Sequence, residues 1–206
     1  MRLSGLYLIL DPAVAGSRSL ADIVSTALDA GARLFQLRMK TSETHKLYEM
    51  AAILCPLVHK GGGIFIVNDR VDVAKAIGAD GVHLGQEDLP LVDARAILGP
   101  GRLIGISTHN LAQAIRAEAG GADYVGYGPV FPTVTKENPD PVVGVDGLCE
   151  ARAKVRIPIV AIGGINAGNA GAVGAAGADC CAVVSAVLAA PNPQTAIAEL
   201  IKAIEG

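Results

Sequence analysis

Arg38 and Lys40 stand two residues apart behind Gln36 in the stretch Leu34-Phe35-Gln36-Leu37-Arg38-Met39-Lys40. Two fixed cations and an amide on one side of a period-two segment can hold an oxygen-rich anion such as pyrophosphate and stabilise its charge as it leaves. Taken alone, the alternation describes a half-buried antiparallel strand with its polar face in water. Asp69 and Asp88 come next, beside Asn68 and Gln86. Two carboxylates among amide oxygens and water suit Mg2+, which keeps several waters and shares its shell with phosphate oxygens. Each also has a plain structural use: Asp69 could pair with Arg70, and Asp88 could cap a helix beginning near Pro90.

Further along lie the parts of a second anion site. Gly163-Gly164 precedes Asn166, and Ser185 follows Val184. Glycine lets backbone N–H groups approach phosphate oxygens, although Gly-Gly can equally make only a tight turn. Between these pieces runs "GPVFPTVTKENPDPVVG", a long Pro-rich segment carrying Thr133, Thr135 and Lys136, whose hydroxyls and ammonium could bind a substrate phosphate and close over it. Ser107 and His109 end another apolar run; His83 lies within one and reads as a satisfied interior histidine. No Ser-His-Asp or Cys-His nucleophile stands out. Two anion sites, one bridged by a metal, fit displacement of pyrophosphate from one substrate by a second, phosphorylated one.

The elements that position these residues recur with a rhythm. Eight short apolar runs, at 6–10, 34–39, 64–68, 81–85, 103–107, 124–128, 158–163 and 181–185, alternate with loops and Ala-rich helical stretches. Helices are expected over 17–30, 43–59, 110 or 111 to 119, the Ala/Val/Gly segment after Asn169, and 193–205. Gly-Ala phrases precede several strands ("GARLFQL", "GADGVHL", "GADYVGY", "GADCCAVV"), so the chain repeats βα units of about 26 residues. Eight such units predict one α/β domain over residues 1–206, a (β/α)8 TIM barrel, with an open doubly wound sheet as the alternative. In a barrel every candidate above falls where a strand ends and a βα loop begins, the end where such barrels do chemistry. Gln36, Arg38 and Lys40 then face the interior and its mouth, where buried charge requires a ligand anion or a carboxylate.

Bulk properties exclude several functions. A net charge of −3 without basic runs argues against a nucleic-acid or anionic-membrane surface, so any anion is held locally. No apolar run reaches the ~18 residues of a membrane span, and the N-terminal "MRLSGLYLILDP" has no signal-peptide pattern. The expected location is cytoplasmic, the expected partners are small phosphorylated molecules, and self-association to a homo-oligomer is left open. Cys55, Cys149, Cys180 and Cys181 match no zinc or redox spacing and read as free thiols.

The phrases "QLRMK", "NDRVDVAKAIGADGVHLGQEDLP", "GISTHN", "GADYVGYGPVFPTVTK", "PIVAIGGI" and "VVSAV" occur in the order and spacing of the thiamine phosphate synthase family, which the chain resembles over nearly its whole length. The resemblance implies a Mg2+-dependent (β/α)8 transferase that joins 4-amino-5-hydroxymethyl-2-methylpyrimidine pyrophosphate to thiazole phosphate, giving thiamine phosphate and pyrophosphate. Carried over residue by residue, Gln36, Arg38, Lys40 and Asn68 would contact the pyrimidine pyrophosphate, Ser107 the pyrimidine and Lys136 the pyrophosphate. Asp69 and Asp88 match the metal ligands, and Thr133, Thr135, Gly164, Val184 and Ser185 the thiazole phosphate site. Arg38, Lys40, Ser107 and Lys136 would carry catalysis. The family's chemistry is dissociative, with a pyrimidine methylene cation captured by the thiazole nitrogen, so no protein nucleophile is needed. Two departures stand out: Met39 replaces a usual acidic residue, with its side chain expected to point away from the mouth, and "ENPDPVVG" replaces a commoner acidic-Ala pattern. A thiazole tautomerase shares the barrel but lacks the full cationic set and carries His where Pro129 stands; a non-catalytic phosphometabolite-binding barrel would leave Asp69 and Asp88 unexplained.

Overall fold

The computed structural model describes residues 3–40, 43–133 and 140–206. Eight strands, β1 (Gly5–Leu10), β2 (Leu34–Leu37), β3 (Ile64–Asn68), β4 (Gly81–Leu84), β5 (Leu103–Thr108), β6 (Tyr124–Tyr127), β7 (Ile159–Ile162) and β8 (Cys180–Val183), pair in parallel in chain order. β8 also pairs with β1, so the sheet closes. Between and after them, among the described residues, lie α1 (Pro12–Ala15), α2 (Leu20–Asp29), α3 (Thr44–Lys60), α4 (Val71–Ala76), α5 (Leu91–Leu98), α6 (Leu111–Ala119), α7 (Gly144–Lys154), α8 (Ala170–Ala175), α9 (Ser185–Leu188) and α10 (Pro193–Glu205). This is the (β/α)8 barrel that the rhythm of the sequence predicts.

Helix starts have local causes. The side chains of Ser19, Asn110 and Asn192 accept amide N–H groups at the heads of α2, α6 and α10, and proline opens α1 and α10. In α2 the stripe Leu20, Ile23, Val24, Ala27 and Leu28 is buried, the spacing that seats a helix on a barrel. Two boundaries differ from the sequence reading. β2 stops at Leu37, so Arg38 and Lys40 lie just past the strand, although the Arg38 amide still bonds Leu10 O at 2.9 Å. β8 stops at Val183, so Ser185 opens α9 rather than ending a strand.

The period of two separates two cores. Phe35, Leu37, Phe65, Val67, Val82, Leu84, Ile104 and Ile106 pack outward beneath the helices, and Met39 joins that layer, away from the mouth. Tyr7, Ile9, Leu34, Ile64, Ile66, Tyr124, Val160, Cys180 and Ala182 fill the interior.

At the end of the barrel where strands begin, the Gly-Ala-Asp phrases form three equivalent clasps. The Asp80 amide bonds Phe65 O while the Phe65 amide bonds Asp80 Oδ2, at 2.9 and 2.7 Å. Asp123 does the same with Ile104, and Asp179 with Ile159. Each carboxylate then pairs with a cationic or imidazole side chain from the helix of the preceding βα unit: His59, Arg95 and Arg152 respectively.

The interior also holds polar side chains, and these bond one another. Gln36 Nε2 lies 2.7 Å from Tyr7 Oη, Tyr7 Oη 3.0 Å from Tyr124 Oη, Tyr124 Oη 3.1 Å from His83 Nδ1, and His83 Nε2 2.8 Å from Ser107 Oγ. Glycine makes room for this row: a Cβ on Gly105 would fall 2.0 Å from Tyr124 Cζ, and one on Gly126 3.0 Å from His83 Cε1. Burial holds His83 neutral, its pKa lowered to about 4, and raises both tyrosines above their ordinary range.

Gly105→Ala should therefore destabilise the protein by about 1–3 kcal/mol in urea unfolding; a change below about 0.5 kcal/mol would mean the Tyr124 ring does not lie across β5. His83 adds an acid-side dependence. Below its ordinary value near 6.5 the unfolded chain binds a proton that the buried imidazole, at about 4, refuses, so stability falls as pH drops through that window. Between pH 7 and pH 5 the wild type should lose about 2 kcal/mol more than His83→Gln. Parallel stability curves for the two proteins would show that His83 is not held neutral.

Candidate active site

The mouth of the barrel, where strands end, is built by short loops that each present one or two polar groups. Asp11 follows β1 and caps α1, its Oδ1 accepting the Ala13 amide at 3.0 Å. Its Oδ2 lies 2.5 Å from Arg38 Nη1, and Asp11 is almost fully buried. Lys40 Nζ lies 2.7 Å from Asp69 Oδ2. The two cations beyond β2 are thus each held by a carboxylate, the compensation that their position demands. Gln36 sits lower, within β2, in register with Ile9 and Ile66 and buried.

Asp69 is the sole non-glycine residue with positive φ among the described residues, at 62°. Its amide bonds His83 O at 2.8 Å and the next amide, Arg70, turns back to Asn68 O at 2.8 Å. This turn ends β3 and aims the Asp69 carboxyl at the mouth, a strained conformation of the kind held at working sites. Asp88, from the loop after β4, lies near enough to act on it electrostatically. Burial raises the Asp69 carboxyl above the usual carboxylate range; Lys40 opposes that rise and Asp88 adds to it. The plain structural uses are not what occurs. Arg70 pairs with Asp72 and Thr44 instead of Asp69. Asp88 accepts the Gly85 amide at 2.6 Å, and α5 has no side-chain cap.

Ser107, half-buried near the end of β5, receives the far end of the interior row, and Gln86 Nε2 donates to its carbonyl at 2.6 Å. His109 Nδ1 lies 3.0 Å from Gly128 O and 3.4 Å from Asp140 Oδ2, so it ties the loops after β5 and β6 together. Across the mouth, the Val130 and Phe131 amides bond Ile162 O and Gly163 O. Gly163 and Gly164, with φ of 100° and 64°, let this segment pass: a Cβ on Gly164 would meet Pro132 O at 2.5 Å. The amides of Gly164 and Ser185 find no acceptor among the described residues. Thr133 ends this described segment, and Val184 packs against both cores. Thr135 and Lys136 lie outside the described residues.

The mouth therefore divides. Asp11, Arg38, Lys40, Asp69, Asp88 and Ser107 gather over β1 to β5, and Gly164, Val184 and Ser185 over β7 and β8. Asp11, Tyr7, Tyr124 and His83 are the partners that sequence reasoning did not bring to the site. For Asp11 a signal existed, Asp-Pro directly after a strand. Cys55, His59 and Asp80 also stand in a row, with Cys55 Sγ 3.7 Å from His59 Nε2. It lies at the opposite end of the barrel, and burial pushes the thiol up to about 11, so it supplies no thiolate.

Comparisons with known proteins agree with this geometry. The family model described as thiamine monophosphate synthase matches residues 6–187. Thiamine-phosphate synthase of Chloroflexus aurantiacus is 47% identical over 195 residues, covering 95% of this chain and 90% of that protein. The Myxococcus xanthus thiamine-phosphate synthase is 44% identical over 201 residues, 98% and 92% of the two chains. A solved thiamine phosphate pyrophosphorylase from Pyrococcus furiosus superposes with a TM-score of 0.89 at 42% identity, covering 98% and 96%. At this identity, over this length and with the same barrel, the chain belongs to the thiamine monophosphate synthase family.

Proposed function

We propose that the chain condenses 4-amino-5-hydroxymethyl-2-methylpyrimidine pyrophosphate with thiazole phosphate, releasing pyrophosphate and forming thiamine phosphate in thiamine biosynthesis. The observation that carries this reading beyond family membership is the pairing of Arg38 with Asp11 and of Lys40 with Asp69 at one mouth. Two cations held in place by carboxylates are oriented before substrate arrives, so stabilising the charge that develops on departing pyrophosphate costs little rearrangement. Ser107 and Gln36 would meet the pyrimidine ring, with Asn68 at the pyrophosphate end. Thr133, Gly164, Val184 and Ser185 would take the thiazole phosphate, with amide N–H groups supplied where glycine admits close approach. Thr135 and Lys136 would complete the two anion sites from the loop after β6.

Asp69 and Asp88 fit a divalent cation. Two adjacent carboxyls, one with its pKa raised, prefer either a shared proton or a positive ion between them. Two carboxyls alone leave most of a coordination shell to water and substrate phosphate, the arrangement that Mg2+ accepts. Bound there, it would supply charge neutralisation at the leaving pyrophosphate. All four cysteines are free, and no helix among the described residues is long and apolar enough to cross a membrane. Both suit an enzyme working on small phosphorylated molecules in a reducing cytoplasm.

Purified protein supplied with both substrates and Mg2+ should form thiamine phosphate and pyrophosphate stoichiometrically; neither product, with both ligands bound, would refute the reading. Asp69→Asn, which tolerates the left-handed backbone that Ala would strain, should keep the melting temperature and lower Mg2+-supported turnover by about two orders of magnitude. An unchanged rate and unchanged Mg2+ requirement would remove the metal assignment.

A further inference from the structure

His109 stands at the mouth without a role in the chemistry proposed above, and its place follows from the sheet. The ladder between β5 and β6 ends with Thr108 opposite Tyr127, which puts His109 next in register with Gly128. The Gly128 amide still bonds Thr108 O at 3.1 Å. Beyond that point the chain turns off into α6, and the His109 side chain takes over from the backbone. Its Nδ1 lies 3.0 Å from Gly128 O and 3.4 Å from Asp140 Oδ2. A carbonyl only accepts, so the hydrogen is on Nδ1, and the carboxylate beside it favours the same tautomer. The histidine is itself held. Its amide donates to Gln113 Oε1 at 2.7 Å, and the Gln113 amide donates to Asn110 Oδ1 at 2.9 Å, the cap of α6.

Gly128 is the root of the segment that crosses the mouth to β7. Along that segment the Val130 amide bonds Ile162 O at 2.8 Å and the Phe131 amide bonds Gly163 O at 3.0 Å. The carbonyl and N–H of a planar trans peptide point in opposite directions, so Phe131, by gripping Gly163 O, turns the Gly164 N–H away from the segment. That amide is among the donors assigned above to thiazole phosphate. Ser107, by contrast, is held from the β4 side, by His83 and Gln86, and Arg38 and Lys40 are held by Asp11 and Asp69. We infer that His109 is a positioning residue for the phosphate of the acceptor substrate: its Nδ1–H anchors Gly128, so that Phe131 can orient the Gly164 amide. This rests on the synthase reading above and adds a residue that acts on one of the two substrates through the backbone it anchors.

Asparagine and glutamine separate the two ring nitrogens. The asparagine amide nitrogen is attached to Cγ, as Nδ1 is, whereas that of glutamine lies one bond further out, towards the place of Nε2. Thiazole phosphate affinity is measured by calorimetry on the wild type, His109→Ala, His109→Gln and His109→Asn, and KM is measured for both substrates. Alanine and glutamine should weaken thiazole phosphate binding by about tenfold, the effect of one lost hydrogen bond, and raise its KM to match, with KM for the pyrimidine pyrophosphate unchanged. Asparagine should restore binding to within about threefold of the wild type. Should the alanine variant fail to fold, the asparagine and glutamine variants decide. Failure of asparagine to rescue, rescue by glutamine, equal losses for both substrates, or wild-type affinity throughout would overturn the inference. A wild type that binds thiazole phosphate yet forms no thiamine phosphate would sink the synthase reading alone, since the affinities still decide the role of His109. A wild type that binds none would sink both.

Discussion

Water has no place in a barrel packed with side chains, so each polar atom inside must find a protein partner or lose its hydration uncompensated. The rest of this molecule can be traced to that constraint. Gln36, Tyr7, Tyr124, His83 and Ser107 satisfy it by bonding in a line that crosses the interior from β2 to β5. The line requires two bare backbones, Gly105 and Gly126, where the rings cross. Burial fixes the ionisation of its members: a neutral imidazole and two protonated phenols. At the mouth the same constraint acts on full charges, and Asp11 and Asp69 meet it for Arg38 and Lys40.

These two levels are connected. Asp69 takes its amide bond from the carbonyl of His83, the residue whose ring holds Ser107. The loop that aims the acidic pair and the row that orients the hydroxyl therefore share one residue of β4. A displacement of His83 would be felt both at Asp69 and at Ser107.

Much of this was legible in the sequence, for reasons that differ by residue. "LFQLRMK" alternates, and its place as second of eight strands turned Gln36 inward and Phe35 and Leu37 outward, as found. The nearness of Asp69 and Asp88 followed from their position after neighbouring strands. Asp11, the partner of Arg38, lies one residue beyond the apolar run of β1, where the alternation has ended. Tyr7 and Tyr124 were missed for a chemical reason: a phenol ring packs like an apolar residue, and periodicity does not register its hydroxyl. α4 and α7 have no capping side chain at their heads, one following Arg70 and the other opening on glycine, so no start signal marks them. The amide arrangement around Gly163 and Gly164 depends on how the segment after β6 passes β7, a long-range fact that local spacing does not carry.

The clasps formed by Asp80, Asp123 and Asp179 lie at the end of the barrel remote from all of this. Each grips both backbone groups of one residue on the preceding strand, where a slip by one residue would reverse inside and outside. Strand alignment is thus secured from below, independently of the loops above. Such a chassis tolerates new loops without re-threading its strands. Strand alignment and the chemistry of the mouth are thereby set at opposite ends of one molecule.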